Sequence, residues 1–177
     1  ISINGNVDKD KAIADFTKIF NGKNGEKFDY AKYSVAKLTM KKQACATVKD
    51  LKTDWIIYGW QTDGVLNRKE YATLQVIDSL LGSGMSSRLF KNLRDRDGLA
   101  YQLGSQFSPH IVKGSFITYI GTNPENLDYA KKRMLEEVFR LKTEFVGSKE
   151  LQEAKDKLLG HYIIGQETNL DKATTIG

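Results

Sequence analysis

LGSGMSSRLFKNLRDRDGLAY, residues 81–101, is the stretch from which the rest of the chain is best read. Its opening turn, Gly82-Ser83-Gly84, sets two residues where positive φ carries no steric penalty. Ser86 or Ser87 stands where a hydroxyl can cap a helix by accepting a bond from a first-turn N–H. Leu89, Phe90 and Leu93 follow at helical spacing and predict a buried stripe. Gly98 sits where a left-handed residue ends a helix, and Tyr101 begins a strand-like run. The reading is a short helix between two glycine hinges, with Arg88, Arg94, Asp95, Arg96 and Asp97 crowded towards its end.

Two of these residues carry chemistry. Arg94 lies one turn after Phe90, at the rim of the apolar stripe, so its stem can pack while its guanidinium stays available. Tyr101 lies seven residues on, across the helix end. Arg offers a fixed fork of donors and Tyr one hydroxyl. Such a pair can hold a peptide carbonyl or stabilise an oxyanion developing on it. The plainer arrangement has Arg94 paired with Asp97 or solvent and Tyr101 as a half-buried strand aromatic.

The combination Ser87-Arg88-Leu89-Phe90, then Arg94, then Gly98-Leu99-Ala100-Tyr101 resembles the signature of the noncatalytic domain of the insulinase/pitrilysin-type zinc peptidases, the superfamily that includes the mitochondrial processing peptidase. The resemblance implies an α+β fold, a mostly antiparallel sheet with helices packed on one face. It implies that Arg94 and Tyr101 bind a peptide substrate opposite a zinc site held elsewhere. Gly82 and Gly84 are further substrate-binding candidates, because that peptidase has a longer glycine-rich loop near this place. The chain is then expected to be a single noncatalytic domain over residues 1–177, a fragment of a longer protein, inactive alone. Its implied partners are a zinc-bearing domain or subunit and a peptide, with homo- or hetero-dimerisation open. The rival reading within the same resemblance is a scaffold subunit that keeps the fold without a proteolytic role.

Outward from the central stretch, the elements follow from periodicity and punctuation. Ile1–Val7 alternates and predicts a strand. Asp8 or Asp10 caps a helix with Ala12, Ile13, Phe16, Ile19 and Phe20 on one face, ending at Asn21-Gly22. Phe28–Leu38 is extended in character, and Gln43–Val48 and Trp55–Trp60 read as strands. A loop over 61–67 leads to a helix over Arg68–Leu81. Tyr101–Phe107 and Ser115–Gly121 read as antiparallel neighbours joined through Pro109 and His110. Asn123 with Pro124 starts a helix whose face is Leu127, Ala130, Met134, Val138, Leu141 and Phe145. Ser148 starts another, with Leu151, Ala154, Leu158 and Tyr162 inward, and Thr168–Gly177 opens a last one. No strand–helix–strand repeat runs throughout, which favours α+β over a doubly wound parallel sheet.

Composition removes several alternatives. With 40% hydrophobic and 28% charged residues among 177, the chain has the balance of a globular domain. No apolar run approaches the roughly 20 residues that span a bilayer. The net charge of +5 comes from lysines scattered among acids, so no basic stripe points to nucleic acid. The single Cys45 forms no internal disulfide and reads as a buried strand thiol. The only histidines, His110 and His161, have no zinc motif around them, so no metal or other cofactor is expected in this chain. Gly82-x-Gly84 follows a helix and lacks the Lys-Ser/Thr of a phosphate loop. Ser87 and Asp97 have no His nearby to complete a hydrolytic triad.

Overall fold

Lys113–Thr122 is the strand around which the sheet assembles. Its side chains alternate, with Gly114, Phe116, Thr118, Ile120 and Thr122 buried on one face while Ser115, Ile117 and Tyr119 face the other way, the period of two that a pleated strand imposes. The computed structural model describes residues 1–21, 25, 29, 32 and 52–176. Among these, β1 (Asp54–Asp63), β2 (Ala100–Pro109) and β3 (Lys113–Thr122) form an antiparallel sheet in the order β1-β3-β2. β1 pairs in register from Asp54 opposite Thr122 to Asp63 opposite Lys113, and β2 from Ala100 opposite Thr122 to Pro109 opposite Gly114.

The helices are α1 (Lys9–Phe20), α2 (Arg68–Leu81), α3 (Leu127–Thr143), α4 (Ser148–Ile164) and α5 (Asn169–Ile176). The described residues fall into two compact units. The larger runs from 30 to 158 and the smaller combines 1–29 with 159–177. In the larger unit, helices and sheet share one core. Leu81 of α2, Leu89 and Leu93 of the central stretch, Phe116 and Ile120 of β3, and Ala130 and Met134 of α3 are all buried in it. Their removal from water is the main favourable term in this half of the fold. The sheet face carrying Trp55, Ile57 and Tyr119 is the one away from that core, and Trp55 and Ile57 are exposed there.

In the smaller unit, Asp8 caps α1 by accepting from the Lys11 N–H at 2.9 Å. Thr168 starts α5, its hydroxyl accepting from Asp171 N and donating to Asp171 Oδ2. Ile13, Ile19 and Phe20, expected on the inner face of α1, are exposed.

Several expectations are corrected. Ile1–Val7 is not a strand, because the chain bends at Gly5-Asn6, with Gly5 at φ 147° and Val7 N–H bonded back to Gly5 O. β1 continues through the expected loop to Asp63, whose carboxylate meets Lys113 at 2.6 Å. Beyond it, Gly64, Val65 and Leu66 donate to the β2–β3 turn at Val112, His110 and Ile111. Asn123-Pro124 marks the right start, but the first turn is a 3₁₀ turn over Pro124–Asn126 and the Asn123 side chain makes no capping bond. Phe145 lies beyond the end of α3 and Tyr162 on an exposed face of α4, so neither points inward. The predicted strand Gln43–Val48 with Cys45, and most of Phe28–Leu38, lie outside the described residues.

Candidate functional site

The central stretch folds differently from an ordinary helix. Residues 88–89 make a helical start, and Phe90–Arg96 then widens into a π-helix. Asp97 N–H reaches back five residues to Asn92 O at 3.1 Å, and Leu99 N–H six residues to Leu93 O at 2.8 Å. Such wide turns are rare and occur often at functional sites. Ser87 does not cap this helix by accepting. It is buried, and its hydroxyl donates to Gly84 O at 2.7 Å. Gly98 ends the helix in the left-handed conformation, at φ 63°, as its position predicts. Of the two hinge glycines at the start, only Gly84 takes a positive φ, 79°. Gly82 stands at φ −142° and is a glycine for a different reason, its contact with β2.

Arg94 and Tyr101 stand on either side of the Gly98 turn. Arg94 is exposed, and its guanidinium carbon lies 4.5 Å from the centroid of the Phe90 ring, a cation–π contact that steadies the side chain. It makes no ion pair with Asp97, which is engaged elsewhere. Tyr101 is 90% exposed. It sits at a break in register where Ala100 faces Thr122 and Gln102 faces Gly121, so Tyr101 is the extra residue of a β-bulge. A bulge re-aims the side chain it carries and is frequent next to active sites. Here it lifts Tyr101 out of the strand alternation, so the half-buried strand aromatic of the plainer reading does not form. Gly82 is buried against β2, and Gly84 is exposed.

The turn bearing this pair is held by ion pairs that the sequence did not indicate. Asp97 accepts from Arg96 at 2.8 Å and from Arg133 of α3 at 2.9 Å. Arg133 also pairs with Glu136, and the buried Glu137 meets Arg140 at 3.1 Å. Arg88 forms a bidentate pair with Glu150 of α4, both bonds at 2.7 Å. The Arg96 and Arg133 guanidinium groups hold the Asp97 carboxyl below its ordinary value of 3.8, and Arg88 holds Glu150 below 4.5. Burial acts oppositely on Asp78, pushing it above 3.8 despite its bond from Ser105.

These directions predict a pH profile. A carboxylate whose folded value is depressed contributes stability that is full above its unfolded value and is lost as pH falls through the folded one. One with a raised folded value has the opposite effect. Lowering pH from 7 should therefore first relieve Asp78, then remove the Asp97 and Glu150 contributions below about pH 4. Thermal unfolding from pH 7 to 2 checks this. Asp97→Asn should be less stable at pH 7 and should flatten the acid limb relative to the parent chain.

Close to Tyr101 the sheet carries an open recess of about 350 Å³, lined by Trp55, Gly98, Tyr101, Gln102, Gly121 and Asn123 among others. Trp55 lies against the bare backbone of Gly121, where a Cβ would come within 3.1–3.2 Å of three indole atoms. Its ring is tilted against Tyr119, with centroids 6.3 Å apart. The pairing of Trp55 with Gly121 across two strands is a long-range fact that no local pattern carries.

The sequence matches the model of the peptidase M16 inactive domain over residues 1–158. The chain belongs to this family. It is 32% identical over 180 residues to an uncharacterized zinc protease of Rickettsia felis, and 28% identical over 181 residues to the uncharacterized zinc protease YmxG of Bacillus subtilis. All of the chain is covered in both comparisons, but it spans only 42% of either relative. Its fold is similar to a protease from Helicobacter pylori, with a TM-score of 0.74 and 22% identity over 97% of this chain and 42% of that one. It is also similar to a peptidase M16 inactive domain from Pseudomonas fluorescens, with a TM-score of 0.62 and 24% identity over 71% of this chain and 29% of that one. The M16 inactive domain is thus the insulinase-type noncatalytic domain that the central motif resembles.

Both curated relatives carry zinc in their names. A protein zinc site needs three or four N, S or O ligands converging on one point. Among the described residues no group of three or more His, Cys, Asp or Glu side chains does so. His110 lies in the β2–β3 turn and His161 near the end of α4. The described donor set does not fit a zinc ion. No described helix is long and apolar enough to cross a membrane.

Proposed function

We propose that this chain is the substrate-binding, noncatalytic half of a zinc-dependent endopeptidase, working against a zinc-bearing domain or subunit. The observation that carries the reading is the placement of Arg94 and Tyr101. Both are exposed, one on a π-helix and one on a β-bulge, and both side chains are free to donate to a ligand. Irregular backbone at two neighbouring positions costs stability and is tolerated where geometry serves a site. The clasp of Asp97 and Arg133 fixes the turn between them, so donors are held ready rather than ordered on binding. Arg94 would hold the peptide backbone by its fork of N–H groups. Tyr101 would donate its hydroxyl to the carbonyl oxygen as negative charge develops on it. Membership of the inactive-domain family supports a division of labour in which this half binds and the other half hydrolyses.

The test is reconstitution. The chain is assayed for peptide hydrolysis alone, then mixed or fused with its zinc-bearing half, with metal content measured in each. Expected is no hydrolysis by the chain alone and a large rise in the other half's kcat/KM when it is added. A zinc-bearing half that works equally well without this chain would reduce it to a scaffold.

A further inference from the structure

Among the described residues, Glu137 is the only charged residue that is fully buried, at 1% exposure. It lies on the core-facing stripe of α3, with Ala130 and Met134 before it and Leu141 after. An apolar residue suits such a stripe, whereas a charge taken from water there is costly unless it is paired. Its own pair is Arg140, whose Nη1 donates to both carboxylate oxygens, at 3.1 and 3.3 Å. Arg133, one turn before it, brings Nη2 to 3.9 Å. Arg88 and Arg96 of the central stretch, held first by Glu150 and Asp97, also feel its charge. Arg133 is the side chain through which this reaches the candidate site. Its guanidinium meets a different carboxylate at each nitrogen: Asp97 at Nε, 2.9 Å away, Glu136 at Nη1 and Glu137 at Nη2. A planar fork engaged on all three sides cannot turn without losing a partner. Of the three carboxylates, that of Glu136 is partly exposed and that of Asp97 belongs to the turn itself, so Glu137 is the fixed reference.

We infer that Glu137 is a positioning residue for the peptide site, orienting Arg133 so that Arg133 holds Asp97 and, with it, the Gly98 turn between Arg94 and Tyr101. This deepens the peptidase reading and rests on it. Stability alone gives no reason for a carboxylate at this position. Buried ion pairs are often no better than apolar residues of similar size, and the large penalty falls where a partner is left buried and alone. Neither arginine would be left alone without Glu137, since Arg140 keeps Glu144 at 3.0 Å and Arg133 keeps Asp97 and Glu136. What would be lost is direction. Arg133 could swing with the exposed Glu136, and Asp97 would follow it. A displacement of about 1 Å at a reacting group can lower a rate by about 100-fold, even when its cause lies far from the chemistry.

The test compares Glu137→Met and Glu137→Gln with the parent chain. Glu137→Met should melt at or above the parent. Amide hydrogen exchange on the chain itself should quicken by about 10-fold at Asp97 and Leu99, whose N–H groups close the wide turns, while the β3 amides stay as protected as before. In the assembled peptidase both variants should lower kcat/KM by about 10-fold. On a Tyr101→Phe background the same changes should lower kcat almost no further, because the hydroxyl they misplace is already gone. A residue that merely held the fold together would instead add its full loss to that of Tyr101→Phe. Should Glu137→Met fail to fold, Glu137→Gln, which keeps the side chain's shape, carries the same comparisons. Unchanged exchange at Asp97 and Leu99, or full additivity with Tyr101→Phe, would overturn the inference while leaving the peptidase reading intact. Failure of the parent chain to raise hydrolysis by its zinc-bearing half would overturn both.

Discussion

Tyr101→Phe in the assembled peptidase is expected to lower kcat by about 10²–10³, the usual loss when one donor to a developing oxyanion is removed. The substitution removes a single oxygen. Tyr101 is 90% exposed and its ring packs into no core, so the thermal midpoint should not move. The bulge that aims the side chain is a backbone feature between Ala100 and Gln102, and phenylalanine tolerates it equally well. A loss in kcat with KM nearly constant would identify an interaction made in the transition state, because uniform binding would appear in KM instead. Arg94 should behave differently. Its guanidinium rests on Phe90, and under the proposed function it would meet a peptide carbonyl in ground state and transition state alike. Arg94→Ala should therefore raise KM more than it lowers kcat, and Arg94→Lys should rescue little, since an ammonium lacks the planar fork. If Tyr101→Phe leaves kcat/KM unchanged, the hydroxyl takes no part in catalysis and Tyr101 is at most a wall of the recess.

The family and the elements around the candidate site were legible in the sequence, and the local geometry much less so. Gly98 and the spacing from Arg94 to Tyr101 are local features, and local features predict a left-handed stop and two polar residues around it. The helix Arg68–Leu81 and the antiparallel β2–β3 pair were equally readable, since period and turn residues suffice for both. What escaped depends on partners distant in the chain. Leu89 and Leu93 enter the core four residues apart, a spacing that an ordinary helix satisfies equally well, so the hydrophobic pattern does not reveal the π-helix over Phe90–Arg96. The bulge at Tyr101 exists only relative to β3. Asp97 looked like one more charge near a helix end, yet its partner Arg133 lies 36 residues on, facing it from α3. Ile1–Val7 failed in the opposite direction, because alternation predicts a strand and Gly5 turns the chain instead.

Gly82→Ala should be the most damaging of the conservative changes in the hinge, and its mechanism separates it from Gly84. Gly82 lies at the end of α2, where the helix presses against β2. An ideal Cβ there would stand 2.5 Å from the backbone carbon of Gly104, and closer still to the Ser105 nitrogen. Backbone atoms of a paired strand cannot step aside as a side-chain tip can. The helix end would have to withdraw, and with it Asp78, whose carboxylate and carbonyl receive the Ser105 hydroxyl. Leu81, fully buried next door, would be pulled from the core. Overpacking of this kind costs about 1–3 kcal/mol and more where backbone must move, so a loss of about 3 kcal/mol is expected. The φ of −142° contributes nothing to that figure, since any residue adopts it. Gly84 is the reverse case. It needs φ 79°, which costs an alanine about 1–2 kcal/mol, and its Cβ would meet only the flexible tip of Lys157. Denaturant midpoints for the two variants should therefore fall in the order Gly82→Ala well below Gly84→Ala. Equal midpoints would mean that α2 can slide along β2 without loss, and that the close approach at Ser105 is not what requires glycine at position 82.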